Sequence, residues 1–415
     1  MNRQADWLTI SLLCLASLAV GCAKEPAPGI DTVETRVLQT PSGQGSMAPN
    51  LATGPDGTVV LSWIEAEGDG DALRFSVFED GEWRNTRTVV SGDNLFVNWA
   101  DFPSVVPIAD SWWAAHWLVR REAGGYAYDI HAAFSSDAGN SWSESFLPHS
   151  DDTDTEHGFV TLFPDHDGVG MIWLDGRNML NEYDENDVGA SGMTLRSAVF
   201  GTDRTASRKM RIDDLICDCC RTDVALTSHG PVAVYRDRTI DETRDIYLTR
   251  FVDGKWQSGT PLGDDNWKIP GCPVNGPVIQ ANGSQLAVAW FSAGNQQPRV
   301  QVAWSDDAGE TLSDPVPVAD GRLLGQVGAA LLPSGDMAVT WLGNVGGGSA
   351  ELHLRRVSSS GEAGPDQVIA EAAGVAPFSV PQVVLVGESL LLAWTDTSGE
   401  DSLVKTALIP LQFLE

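Results

Sequence analysis

Seven times along this chain a short apolar strand closes on an aromatic residue, at Trp63, Trp117, Trp173, Tyr235, Trp290, Trp341 and Trp394, at intervals of 54, 56, 62, 55, 51 and 53 residues. A unit of about fifty residues cannot bury an apolar face by itself, so its copies must stack on one another. Periods of about 40–50 residues with several short strands per unit are those of radial propellers. The spacing therefore predicts an all-β fold, a seven-bladed β-propeller of four-stranded blades.

Each unit opens with a strand, turns at Gly or Asp, and returns in the strand that ends at the aromatic. Met47 to Trp63, Asp101 to Trp117, His157 to Trp173, Gly325 to Trp341 and Phe378 to Trp394 each span sixteen positions, as hairpins in one register do. A third strand, alternating apolar and polar, follows at 73–78, 130–135, 194–200, 246–251, 300–305, 352–357 and 403–408. A fourth is expected in six units, at 88–90, 145–147, 209–212, 260–262, 316–318 and 367–369. The seventh unit runs out at Glu415, and Thr35-Arg36-Val37-Leu38-Gln39 belongs to no other unit. That segment is expected to complete the last blade, which closes the ring and removes exposed sheet edges. Length alone suggests two or three domains, but the unbroken repeat makes residues 31–415 one propeller.

A formal charge of −31, from 57 acidic and 26 basic residues, repels phosphate backbones and anionic lipid, so nucleic acid is excluded as a partner. The same charge keeps a large propeller soluble, and the chain is expected to be a monomer. Arg3, a largely apolar run from Trp7 to Val20, and small residues before Cys22 read as an export signal too short to span a bilayer. Leu18-Ala19-Val20-Gly21-Cys22 resembles a bacterial lipobox, with Ala19 where Leu is usual. The resemblance implies a signal over 1–22, a lipidated Cys22, and, with no Asp at position 23, an outer-membrane location reached only through the lipid. Residues 23–30, rich in Pro, read as a tether. The alternative is a secreted protein cut nearby.

Ser135-Ser136-Asp137-Ala138-Gly139-Asn140-Ser141-Trp142 matches the pattern S-x-D-x-G-x-[ST]-W, and Ser305-Asp306-Asp307-Ala308-Gly309-Glu310-Thr311-Leu312 matches all but its last place. Weaker echoes stand at Asp80-Gly81-Glu82-Trp83 and Asp253-Gly254-Lys255-Trp256. Here the Asp satisfies turn amides, Gly takes an unusual backbone angle and Trp staples the loop to its blade. These segments resemble the Asp-box (BNR) repeats of the sialidase superfamily over roughly residues 31–415, and the branch resembled is one of bacterial lipoproteins. Sialidases are six-bladed, so a six-bladed propeller is the alternative architecture. The resemblance also implies a carboxylate-binding arginine triad, a Tyr nucleophile activated by a Glu, and an Asp acid/base. Met47-Ala48-Pro49 stands where that family carries Arg-Ile-Pro, so the first arginine is absent.

In such propellers first strands begin and second strands end on one face. That face collects Asp101, His157, Cys217, Cys219, Cys220 and Cys272 with Asp175, Arg177, Arg236, Asp237, Arg238, Glu242 and Arg244. Arginine forks suit carboxylate or phosphate, which makes Arg177, Arg236, Arg238, Asp101 and Asp175 candidate ligand-binding residues. Salt bridging among Asp175, Asp237, Glu242 and the arginines is the plainer reading. Tyr235, replacing Trp at the repeat position, is either a core tyrosine or, with Asp237 and Glu242, part of a catalytic set.

Apart from Cys14 and Cys22, every cysteine lies at Cys217, Cys219, Cys220 or Cys272. Adjacent blades bring these strand starts together near the central opening. An oxidising compartment favours disulfides, while thiolates joined by His157 or Asp101 would favour copper(I) or zinc. C-x-C-C is neither a usual zinc spacing nor the haem signal C-x-x-C-H. The stretches 217–222, 235–238 and 271–277 resemble segments of uncharacterised bacterial sialidase-like proteins, which implies that they form one unit. The acidic run Asn181–Asp187 fits no EF-hand, and no H-E-x-x-H, G-x-S-x-G or P-loop motif is present. The sequence thus points to an envelope lipoprotein binding a ligand at its Cys/Arg-rich face, an anionic glycan or other envelope component or a soft metal. A sialidase-like glycoside hydrolase acting on an acidic sugar and a copper or zinc thiolate protein are the alternatives.

Overall fold

Seven antiparallel sheets succeed one another in the computed structural model, which describes residues 36–181, 191–371 and 375–414. The export signal, Cys22, the tether and the acidic run from Glu182 onward lie outside the described residues. Blade three, with strands His157–Asp165, Gly168–Asp175, Thr194–Phe200 and Ala206–Asp213, shows the common pattern of four strands from axis to rim. The predicted seven-bladed, all-β architecture is what is found.

Each blade buries its faces against its two neighbours. Leu51, Trp63 and Phe78 of blade one meet Leu391 and Val404 of blade seven, and Ile64 and Phe75 meet Val105 and Trp117 of blade two. Further clusters join blades two and three, three and four, four and five, five and six, and six and seven. The repeat aromatics are all buried at these joints. Several tie their polar atom to a carboxylate on the top face: Trp63 Nε1 donates to Glu65 at 2.9 Å and Trp173 Nε1 to Asp175 at 2.8 Å. A buried indole needs such a partner.

The ring closes through the N-terminal segment. Arg36–Val37 pairs antiparallel with Leu403–Pro410, the Leu38 amide donates to Thr406 O at 2.9 Å, and Leu38 packs into the cluster between blades one and seven. Thr40 and Ser42 hydroxyls then donate to Val404 O, lacing the segment along blade seven before it enters blade one.

One local expectation is corrected and another is extended. The fourth strand expected at 145–147 in blade two shrinks to a single bridge, Ala132 to Phe146. The turn tryptophans staple each loop to the preceding blade as well as to their own, where Trp83 meets Phe78 and Trp256 meets Phe251 edge-on at 5.0 and 5.4 Å. Trp142 meets Phe75 of blade one edge-on at 6.0 Å, Trp83 Nε1 donates to Thr406 of blade seven, and Trp256 Nε1 donates to Ser197 of blade three. The carboxylate chemistry of these turns is as expected: Asp137 Oδ1 accepts from the Ser141 amide at 2.8 Å, Oδ2 from its hydroxyl at 2.7 Å, and Gly139 has φ +75°. Asp307 repeats the arrangement with Thr311.

Removing residues 36–39 should lower Tm sharply, and Leu38→Ala alone should cost about 2–3 kcal/mol in a urea titration. A melt unchanged by the deletion would refute the closure.

Candidate functional site

The connection from blade three to blade four carries Cys217-Asp218-Cys219-Cys220 across the top face. It is held against the end of blade four's second strand, where the Cys217 amide donates to Arg236 O at 3.0 Å and Ile216 bridges Asp237. The Cys217 Sγ lies 3.4 Å from Cys220 Sγ and 3.8 Å from Cys219 Sγ, with Cys217 and Cys220 buried and Cys272 exposed. None of these distances is a disulfide bond of about 2.05 Å. Cys272, from the connection between blades four and five, lies beside Cys219 and 4.0 Å from Asp218 Oδ2. The Asn275 amide donates to Cys220 Sγ at 3.4 Å. The three stretches expected to form one unit therefore do.

The nest favours the thiolate form at Cys217. Thiols of Cys219 and Cys220 donate toward Cys217, and the guanidinium groups of Arg236 and Arg244 add to that attraction, so Cys217 is held well below the usual thiol range. Its neighbours are pushed up in turn, Cys219 mainly by the contact with Cys217 and Cys220 mainly by burial. Arg244 Nη1 donates to Cys217 Sγ at 3.2 Å and to Asp218 at 2.9 Å, while Glu242 Oε2 accepts from its Nε and Nη2. Lowered thiol pKa values beside cations are the mark of reactive or metal-binding sulfur.

The arginines do not converge on an empty carboxylate site. Arg236 is 1% exposed and spends its donors on backbone carbonyls of Asn275, Arg244 and Phe291, with its face 4.9 Å from the Trp267 ring. Arg238 pairs with Glu242 at 2.5 Å. Arg177 forks onto Asp175 at 2.5 and 2.7 Å and reaches Asp151 at 3.0 Å.

Three carboxyls of this face are unusually basic. Asp101, fully buried, is pushed up to about 7 by desolvation, and it accepts from Tyr128 Oη and the Phe159 amide, both at 2.8 Å. Glycine is required at 158, because a Cβ there would stand 1.8 Å from Asp101 Oδ2. Tyr128 Oη also lies 2.8 Å from Glu156 Oε1, and Glu156 is raised to about 7 by burial. A phenol has one proton, so both contacts are hydrogen bonds only when one carboxyl is itself protonated. Asp237 is raised to about 7 by burial and by nearby Asp213. Tyr235 is fully buried between blades three and four and donates to Asp213 at 2.6 Å; burial drives its phenol well up.

His157, expected beside the sulfurs, stands instead in a separate group. Its ring stacks on His149 at 4.0 Å with planes 1° apart, and its Nε2 lies 3.0 Å from Asp151 Oδ1. Asp129 and Asp175 complete two triplets around it. Imidazole lone pairs lie in the ring plane, so the two parallel rings are poorly aimed at one ion, and in the triplet that uses His157 alone both carboxylates, Asp151 and Asp175, are already bound by Arg177. The sulfur nest is the better ligand set. Asp218, Asn275, Tyr128, Glu156, His149 and Asp151 were not singled out in the sequence; the first two lie inside the flagged Cys stretches, Tyr128 opens the strand Tyr128–Ser135 of blade two, and the other three come from the connection between blades two and three, whose place depends on blade packing.

Asp101, Glu156 and Asp237 bind a proton more tightly folded than unfolded. Their stabilising contribution is complete below about pH 4 and is lost as pH rises toward 7. Tm should therefore fall between pH 5.5 and 8, and Asp101→Asn with Glu156→Gln should flatten that fall in a calorimetric series at constant ionic strength; parallel slopes would contradict the assignment.

Neither a protein-family profile nor a curated protein matches this sequence. Among solved structures, an ulvan lyase of polysaccharide lyase family PL25 matches with TM-score 0.58 at 9% identity, over 91% of this chain and 96% of that one. The lectin BP39L from Burkholderia pseudomallei matches with TM-score 0.57 at 12% identity, over 92% and 96%. At such identities the likeness is one of fold, and it places this chain among β-propellers.

Proposed function

We propose that this protein is an envelope lipoprotein, anchored through Cys22, whose top face binds a soft metal ion through thiolates. Cys217, Cys219 and Cys220 would be the inner ligands and Cys272 the closing one. The observation that carries the reading is the sulfur spacing. Metal–sulfur bonds of about 2.3 Å put tetrahedral ligand atoms roughly 3.8 Å apart, and the Cys217 sulfur lies 3.4 and 3.8 Å from its neighbours. Arg236 and Arg244 offset the charge that further deprotonation would add. Three thiolates suit copper(I), and the fourth from Cys272 suits zinc.

Other readings of the same face draw less from the geometry. A hydrolase would need Tyr235 at the surface and free arginines, yet Tyr235 is sealed and Arg177, Arg236 and Arg238 are held by internal partners. An anionic glycan would meet the same committed guanidinium groups. Disulfide formation would need Cys217 and Cys220 to close by more than an ångström.

Anaerobically reduced protein loaded with zinc or copper(I) and then dialysed should retain one equivalent, with thiol titration showing the sulfurs protected. Cys217→Ser and Cys220→Ser should each lose retention at least tenfold. Four freely titrating thiols without retained metal would overturn the proposal.

A further inference from the structure

Blade three carries a like-charge pair that its sheet does not need. Arg196 on the third strand stands directly opposite Arg211 on the fourth, and like charges so placed destabilise a sheet. Together with Arg177 and Lys209 they line a pocket of about 120 Å³, whose wall also includes Trp173 and Met210. Four of its ten lining residues are basic and none is a carboxylate, in a chain with 57 acids and only 26 lysines and arginines.

The acids nearest these cations lie outside the pocket wall. Arg177 forks onto Asp175 and reaches Asp151, Arg196 Nε lies 3.6 Å from Asp175, and Arg211 Nε pairs with Asp214. Four cations thus meet three carboxylates, and one positive charge is left over. Burial, with Arg177 and Arg211, lowers the Arg196 pKa in spite of Asp175 and Asp151, so these acids leave its charged form less stable than it is in water. Arg196 directs Nε to Thr194 Oγ1 at 3.2 Å. Its Nη groups, those of Arg211 and the Lys209 ammonium have no hydrogen-bond partner among the described residues. Lys209 and Arg211 are exposed, which leaves the pocket open to solvent.

We propose that this pocket of blade three binds a tetrahedral oxyanion, phosphate or sulfate, free or as a monoester, through Arg196, Lys209 and Arg211. Donors from three side chains on two strands suit an anion that presents three oxygens, whereas a single guanidinium fork already satisfies a carboxylate. The pocket shares no residue with the sulfur nest, and its occupation does not depend on metal binding there.

Calorimetric titration at low ionic strength, where such contacts are least screened, should show one site for inorganic phosphate and for sulfate. Acetate should bind about tenfold more weakly. Lys209→Gln and Arg211→Gln should each weaken phosphate about fivefold, the loss of one exposed charged contact. The double variant should abolish binding, and Arg84→Gln, at an exposed arginine of blade one, should leave it unchanged. Methyl phosphate that binds as well as phosphate assigns the site to an ester, and clearly weaker binding assigns it to the free ion. Phosphate bound equally by the parent and the double variant, acetate as tight as phosphate, or no phosphate binding would overturn the site.

Discussion

Every blade of this protein has two apolar faces and no means of covering either by itself, so the ring must close for any blade to be stable. The closing contact is slight in length: two paired residues of the N-terminal strand, one amide bond from Leu38, and the Leu38 side chain between blades one and seven. Its importance comes from position. Without it, the last blade would present an open edge, and the first and seventh blades could separate along their shared cluster.

Closure also sets where chemistry can occur. It brings the connection between blades three and four against the connection between blades four and five, which gathers four sulfurs that are up to 55 positions apart in the chain. The same packing buries Arg236 beneath them. A buried guanidinium whose hydrogen bonds all go to carbonyls needs negative charge nearby, and the Cys217 thiol and Asp245 are the groups that answer it. The nest and the arginines are thus one electrostatic unit, in which each makes the other tolerable.

Much of this was legible in residues. The aromatic period announced seven blades, and the orphan segment around Val37 announced its own place, because a strand-like stretch with no partner and a blade with a missing strand complement each other. The convergence of Cys217–Cys220 with Cys272 followed from the rule that first strands start on one face. The partners of individual side chains were not legible. Arg236 and Arg238 sit two positions apart in one exposed-looking motif, yet one is buried on carbonyls and the other pairs with Glu242. Nor could His157 be assigned to His149 and Asp151, since its neighbour is fixed by a loop with no repeat signal.

The number of blades, the face on which the unusual residues gather and the acidic balance of the molecule can all be read from periodicity and composition, which are properties of the chain alone. Packing in three dimensions sets which cations are already neutralised, Arg236 on carbonyls and Arg177 and Arg238 on carboxylates. It also sets which thiol is the most acidic, Cys217. Those outcomes depend on distances of a few ångströms between distant segments, and Coulomb and desolvation energies at that range change faster than any pattern along the chain can record.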